Sequence, residues 1–205
     1  MGAPAASRER DYRSRLEAFL QASSVAEPVR SAATLSERYA TLSEVLSAPP
    51  AIIANYAGAE AAQAIAAAHK LMISALEEEL GERQPISCER DAAAFLKALI
   101  GFRSDELLIV LFLDRRRRLI DHEVIAIGAA DCVDCDQRRI VFRAIGRGAS
   151  GIIVAHNHPS GDPRPSTSDI NVTRRLADVT RGLGISLVDH LVIAGGEVRS
   201  AMYVS

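Results

Sequence analysis

The sequence predicts an α/β fold, a mixed β-sheet flanked by helices, preceded by a small all-helical domain. Three observations carry that reading. Through about the first 80 residues apolar side chains recur at helical spacing, with almost no strand-like alternation. After them, short apolar runs alternate with helical patterns, as a sheet covered by helices requires. Between the halves, Gly81-Glu-Arg-Gln-Pro-Ile-Ser87 is polar, aperiodic and carries a helix-breaking proline, which sets a helical domain over 1–85 and an α/β domain over 86–205.

The first helix places Tyr12, Leu16, Phe19 and Leu20 on one face, after the charged stretch Arg8 to Asp11. Pro49-Pro50 ends one helix and opens the next. The alanine-rich run from Gly58 to Leu80 predicts one long helix, because alanine loses no side-chain entropy there, and Gly81 marks its end. Asp91 to Ile100 is helical. Leu107 to Leu113 is apolar throughout, a buried strand; Asp114 to Arg118 is a polar turn, and Leu119 to Ile127 returns as a second strand, so the pair is a hairpin. From about Gln137 to Arg147, Ile140, Val141, Ala144 and Ile145 fall at helical spacing. Gly151 to Ala155 is a short apolar strand running directly into His156. A proline- and glycine-rich loop then leads to a helix from Thr167 to Arg181, and strands near Ile185–Ile193 and Val198–Val204 complete the sheet.

Composition excludes several classes. Hydrophobic residues at 48% and charged residues at 24% are globular averages, so neither disorder nor a fibrous architecture is indicated. A formal charge of -2 gives no bulk drive onto nucleic acid, and any DNA contact has to be local. Three cysteines, Cys88, Cys132 and Cys135, are too few for a disulfide framework and favour a reducing compartment. The N-terminus lacks the apolar core of a signal peptide and no segment has the length of a membrane span, so the expectation is a cytoplasmic protein.

The chemistry concentrates in residues 156 to 169, His-Asn-His-Pro-Ser-Gly-Asp-Pro-Arg-Pro-Ser-Thr-Ser-Asp. On extended backbone, residues two apart point the same way, so His156 and His158 at a strand end present both imidazoles to one point. Two neutral imidazoles suit zinc. The loop stiffened by Pro159, Gly161, Pro163 and Pro165 can return Asp169, in the first turn of the next helix, to the same point. Two histidines, one carboxylate and an open position are the ligand set of a catalytic zinc site, where a structural site is closed by four protein ligands. Ser166-Thr-Ser-Asp169 is also a capping-box pattern, in which the same serine and aspartate only start a helix.

His156-Asn-His-Pro-Ser-Gly followed by Pro165-Ser-Thr-Ser-Asp169 resembles the RadC family, within the JAMM (JAB/MPN) metalloprotease superfamily. The superfamily pattern is an upstream glutamate, then His-x-His, seven residues, serine, two residues and aspartate. His156, His158, Ser166 and Asp169 fit it without a gap. The resemblance covers roughly residues 90 to 205 and includes Leu111-Phe-Leu-Asp114 and Leu187-Val-Asp-His190. It implies a JAB/MPN, cytidine-deaminase-like sheet, zinc held by His156, His158 and Asp169, and hydrolysis of a peptide or isopeptide bond in an unidentified peptide or protein substrate. A glutamate would carry the proton, and Ser166 would donate to the oxyanion. For the glutamate, Glu106 directly precedes an apolar strand as the family's does; Glu123 on the second strand is its rival. RadC-like members are conventionally named DNA repair proteins, so the alternative function is a DNA-repair accessory or DNA-binding protein whose metal site is not peptidolytic. Asn55-Tyr-Ala-Gly-Ala-Glu-Ala-Ala62 occupies the place of the family's helix-hairpin-helix, but it keeps only Gly58 and has Glu60 where a phosphate contact needs a basic residue, which argues against DNA as a partner.

The remaining features read as structural. Cys132-Val-Asp-Cys135 has no second pair and is taken as two loop cysteines; Arg115 to Arg118 is a solvated turn; Asp189-His190 sits in the sheet as a buried histidine and not as a fourth ligand.

Overall fold

The structure, a computed structural model, describes residues 5–82, 85–86, 89–128, 133–194 and 196–202. The chain divides into two compact units, Met1–Met72 and Ile73–Ser205.

The first unit is helical: α1 (Ala5–Ala22), α2 (Pro28–Arg38), α3 (Leu42–Ser47) and the first part of α4 (Pro50–Glu82). Tyr12, Leu16 and Leu20 of α1 are buried as their spacing predicts, in a core shared with Leu35, Val45, Ile53 and Ile65. Thr41 caps α3 by accepting from the Glu44 N–H, and the Glu44 carboxylate returns a bond to the Ala40 N–H. Gly58 breaks α4 with φ 86° and ψ 162°, a left-handed conformation that glycine adopts without a Cβ penalty, so the alanine-rich helix starts where the sequence places it. Glu60 accepts from the Ala26 N–H at 3.0 Å. Its carboxylate is a helix-start anchor within this unit.

The second unit packs a sheet between helices. Among the described residues its strands are β1 (Leu107–Leu113), β2 (Leu119–Ile127), β3 (Gly151–Asn157), β4 (Ser186–Ala194) and β5 (Glu197–Ser200), in the order β2-β1-β3-β4-β5. β1 pairs antiparallel with β2 and β3, β3 runs parallel to β4, and β5 closes the edge antiparallel to β4. Every position of β1 is buried because both faces are covered, which explains its unbroken apolar run. The period of two then sorts side chains between two cores. Leu107, Ile109, Leu111, Ile153, Ala155 and Leu191 meet α5 (Glu89–Ile100) and Ile73, Leu76 and Leu80 of α4. Leu108, Val110, Phe112, Ile152 and Val154 meet Ile140 and Ala144 of α6 (Val133–Gly146) and Leu176 of α7 (Thr167–Arg181).

Several boundaries differ from the sequence reading. β3 continues through His156 and Asn157, because its parallel partner β4 supplies hydrogen bonds that far. The last strand stops at Ser200 and not at Val204: the Ser200 hydroxyl turns in to Asp189 Oδ1 at 2.5 Å, and the chain bends at Ala201. α6 starts four residues before Gln137. The composition change at 81–87 marks where the helical pattern ends, whereas the second unit begins at Ile73, because the last turns of α4 bury Leu80 against α5 and the sheet. Asp114 Oδ1 accepts from the Arg116 and Arg118 N–H groups, and Arg117 takes φ 59°, so the arginine run is a turn as expected. Cys88, Cys132, Val204 and the side chain of Cys135 lie outside the described residues. Among the described residues no helix is long and apolar enough to cross a membrane.

Candidate metal centre

β3 delivers the histidines. His156 within it and His158 just past its end alternate with Asn157, so both imidazoles fall on the α7 side of the sheet and the amide on the α5 side. Leu108 of β1 pairs with His156. Continuing that antiparallel register by two places sets Glu106 against His158, on the same face. Ligand atoms of Glu106, His156 and His158 lie within 4.8 Å of one another. Asp169 joins from the first turn of α7, with carboxylate oxygens 3.2 Å from His156 Nε2 and 3.6 Å from His158 Nε2. The loop is shaped to allow this. Gly161 takes φ 82° in a turn that returns the Asp162 carbonyl to His158 Nδ1 at 2.8 Å, and Arg164 locks Asp162, holding its carboxyl down at about 2.

Hydrogen bonds assign the protons. The Asp162 carbonyl can only accept, so His158 donates from Nδ1, and in the neutral form of the ring the lone pair is on Nε2. His156 is reached through a longer relay. The Thr173 hydroxyl donates to the Asp169 carbonyl at 2.6 Å, so His190 Nδ1 donates to Thr173 Oγ1 at 2.6 Å. Burial, the largest cause, pushes His190 down to about 3, leaving it neutral with a bare Nε2 that accepts from His156 Nδ1 at 3.0 Å. In its neutral form His156 likewise has its lone pair on Nε2. The two Nε2 atoms stand 3.0 Å apart, and beside them lies an ionised carboxylate. Burial alone would raise the Asp169 carboxyl, but His156 when it is protonated on Nε2, together with the bonds from Ser166, outweighs that and holds it well below the usual carboxylate range. Acceptors converging this closely repel one another unless a cation lies between them. The donor set therefore fits a metal ion, and the chemistry of two imidazoles with a carboxylate suits a divalent transition metal.

Ser166 and Asp169 also form a complete capping box, so the two readings of that pattern coexist. The Ser166 hydroxyl accepts from the Asp169 N–H at 3.1 Å and donates to Asp169 Oδ2 at 2.6 Å. Asp169 Oδ1 is left facing His156. Burial grades across the site: His156 is 2% exposed at its side chain, Asp169 9%, His158 18%. Solvent thus reaches the centre from the His158 side, where Glu106 is half-buried.

Glu106 and Glu123 are separated by this geometry. Glu123 lies 3.3 and 3.2 Å from Arg139 and Arg143 of α6 and 2.8 Å from Arg147 in the turn that follows it, a helix-to-strand anchor. Two groups escaped the sequence reading. Thr173 lies one helical turn after Asp169 and is legible only as a small polar residue on the buried face of α7. Asn157 is 1% exposed; its Oδ1 accepts from the Leu107 N–H at 2.8 Å, and its Nδ2 donates to the Arg103 and Asp105 carbonyls at 3.1 and 3.0 Å. Its only signal was a polar residue inside a buried strand. His190 was read as a sheet histidine and is one, bonded to His156.

Comparison with known proteins agrees with the motif. The family model described as RadC-like JAB domain matches residues 86–203. A UPF0758 protein of Aquifex aeolicus (strain VF5) is 45% identical over 111 residues, 54% of this chain and 48% of that protein. One of Xanthomonas oryzae pv. oryzae (strain PXO99A) is 37% identical over 174 residues, 82% of this chain and 76% of that protein. A match over more than half of the chain, spanning the sheet and the helix α7 that bring His156, His158 and Asp169 together, identifies the chain as a member of the RadC family, with a RadC-like JAB domain.

Proposed function

We propose that the protein is a zinc-dependent metallohydrolase of the JAMM type, which cleaves a peptide or isopeptide bond in a peptide or protein substrate. The observation that carries this reading is the convergence of two bare imidazole Nε2 atoms and an ionised carboxylate, with a further carboxylate close by and solvent on one side. Ligand atoms on a tetrahedral zinc stand about 3.3 Å apart. The separations of 3.0, 3.2 and 3.6 Å among His156, His158 and Asp169 are close to that edge. Zinc bound there supplies Lewis-acid chemistry, lowering the pKa of a water and polarising a carbonyl.

The chain's own residues do the rest. His156, His158 and Asp169 hold the metal, leaving Glu106, across from His158, free to accept a proton from the attacking water and return it to the leaving amine. Ser166 acts on the substrate carbonyl oxygen as negative charge develops there. Its hydroxyl donates to Asp169 in the resting chain, so it rotates to perform this role. The exposed flank at His158 admits the substrate backbone.

Metal analysis of the purified chain should give about one zinc per chain, and His156→Ala should lose it on dialysis against a mild chelator. A peptide library and ubiquitin-like fusions then supply the activity screen. Full zinc retention by His156→Ala would reject the ligand assignment, and a loaded, accessible site inert toward every amide would reject the hydrolase.

A further inference from the structure

We propose that Asn157, between the two histidines, is the positioning residue for Glu106: it binds the loop that carries the carboxylate to the strand that carries the imidazoles, so that base and ligands form one unit. The inference rests on Glu106 being the proton carrier of the metal site. Residues 101–105 lie between α5 and β1 in turns and bends, without ladder hydrogen bonds of their own. Asn157 replaces that ladder. A primary amide offers two donors and two acceptor lone pairs, and three of the four go to the backbone of 103–107. Glu106 sits between two of the anchors, the Asp105 carbonyl and the Leu107 N–H. Its own carbonyl accepts from the Gly128 N–H at 2.8 Å, which ties the same residue to the end of β2. Because strand side chains alternate, Asn157 holds this loop from the α5 face while His156 and His158 face the metal from the other, so neither imidazole is disturbed by the anchoring.

The residue type is specific to the task. Aspartate keeps the acceptor for Leu107 but turns a negative charge on two carbonyls; serine has one donor; glutamine is a methylene too long for a site with 1% exposure. The Leu107 N–H it serves is buried and would otherwise lose its partner.

Cobalt(II), a paramagnetic stand-in for zinc, tests this in the full chain. Pseudocontact shifts report how far each side chain lies from the metal, which a loss of stability alone does not change. Asn157→Ala and Asn157→Asp should each keep one cobalt per chain and the wild-type shifts at Thr173 and Ser166. Both should lose the wild-type shift at Glu106, and in Asn157→Ala the Leu107 amide should exchange faster by on the order of tenfold, the effect of one hydrogen bond. Should Asn157→Ala not fold, the near-isosteric Asn157→Asp carries the test, since it lacks both donors. An unchanged Glu106 shift in a cobalt-loaded variant overturns the proposal, as do shifts that change everywhere together. A wild type that takes up no cobalt overturns the metal reading itself and the proposal with it.

Discussion

Thr173 sets the proton order of the site, because its single hydroxyl hydrogen goes to the Asp169 carbonyl and thereby obliges His190 to donate to it and accept from His156. Outer partners of this kind orient a ligand imidazole and raise its basicity. Thr173→Val keeps the shape and removes the hydroxyl, so His190 can take the other tautomer; zinc affinity should fall by roughly 10- to 100-fold in chelator competition, while Thr173→Ser should stay near wild type. Equal affinities for the valine and serine variants would break the relay. Glu106→Gln should keep zinc and fold but lose hydrolysis by a factor on the order of 10² to 10⁴, since an amide holds a water without accepting its proton. Glu123→Gln should leave turnover within about twofold, because its carboxylate is bound by Arg143 of α6 and by Arg147 just after it, and a positioned acid-base effect is far larger. Turnover of both variants on any peptide found in the screen decides between them, and zinc loss from Glu106→Gln would make Glu106 a ligand.

The turn that ends α6 is joined to β2 through Arg147, whose guanidinium binds Asp121 at 2.6 Å and Glu123 at 2.8 Å and lies 4.4 Å from the Phe112 ring centroid. The side chain is 22% exposed, so its charged bonds are only partly screened. Arg147→Ala should cost about 1–2 kcal/mol in urea unfolding. Its pH dependence has a definite sign. Burial raises the Asp121 carboxyl, but the Arg147 bond and the His122 N–H outweigh it and lower it from 3.8. A depressed carboxylate contributes stability above its unfolded value and loses it as pH falls through the folded one. The gap between wild type and Arg147→Ala should therefore be full at pH 6 and narrow below the unfolded value of 3.8. A gap that widened toward acid would show that the pair does not operate.

At the scale of the chain, the unit from Ile73 includes α4 turns that the family match from residue 86 leaves out. Ile73, Leu76 and Leu80 cover the α5 face of the sheet core. A fragment 73–205 should melt roughly 10 °C or more above a fragment 86–205, as the burial of two to three aliphatic side chains requires; equal melting would mean those turns add nothing. With a net charge of -2 and Glu60 engaged at the Ala26 N–H, the full chain should show no submicromolar, salt-steep binding to duplex or branched DNA, which filter binding at two salt concentrations reads. Such binding would promote the DNA-repair accessory reading. Much of this molecule is legible along the chain because its signals are local: an apolar run marks β1, a two-residue spacing aims His156 and His158 together, a proline pair parts α3 from α4, and the Ser166–Asp169 pattern starts α7. Those spacings also anticipate that His156, His158 and Asp169 converge, but not the partners that surround them. Residues 106 and 158 meet through the register of β1 on β3, His190 reaches His156 because β4 lies parallel beside β3, and Asn157 finds its partners some fifty positions away. Strand order, direction and register follow from which apolar faces pack against which helices, a sum over distant contacts that no window of sequence contains.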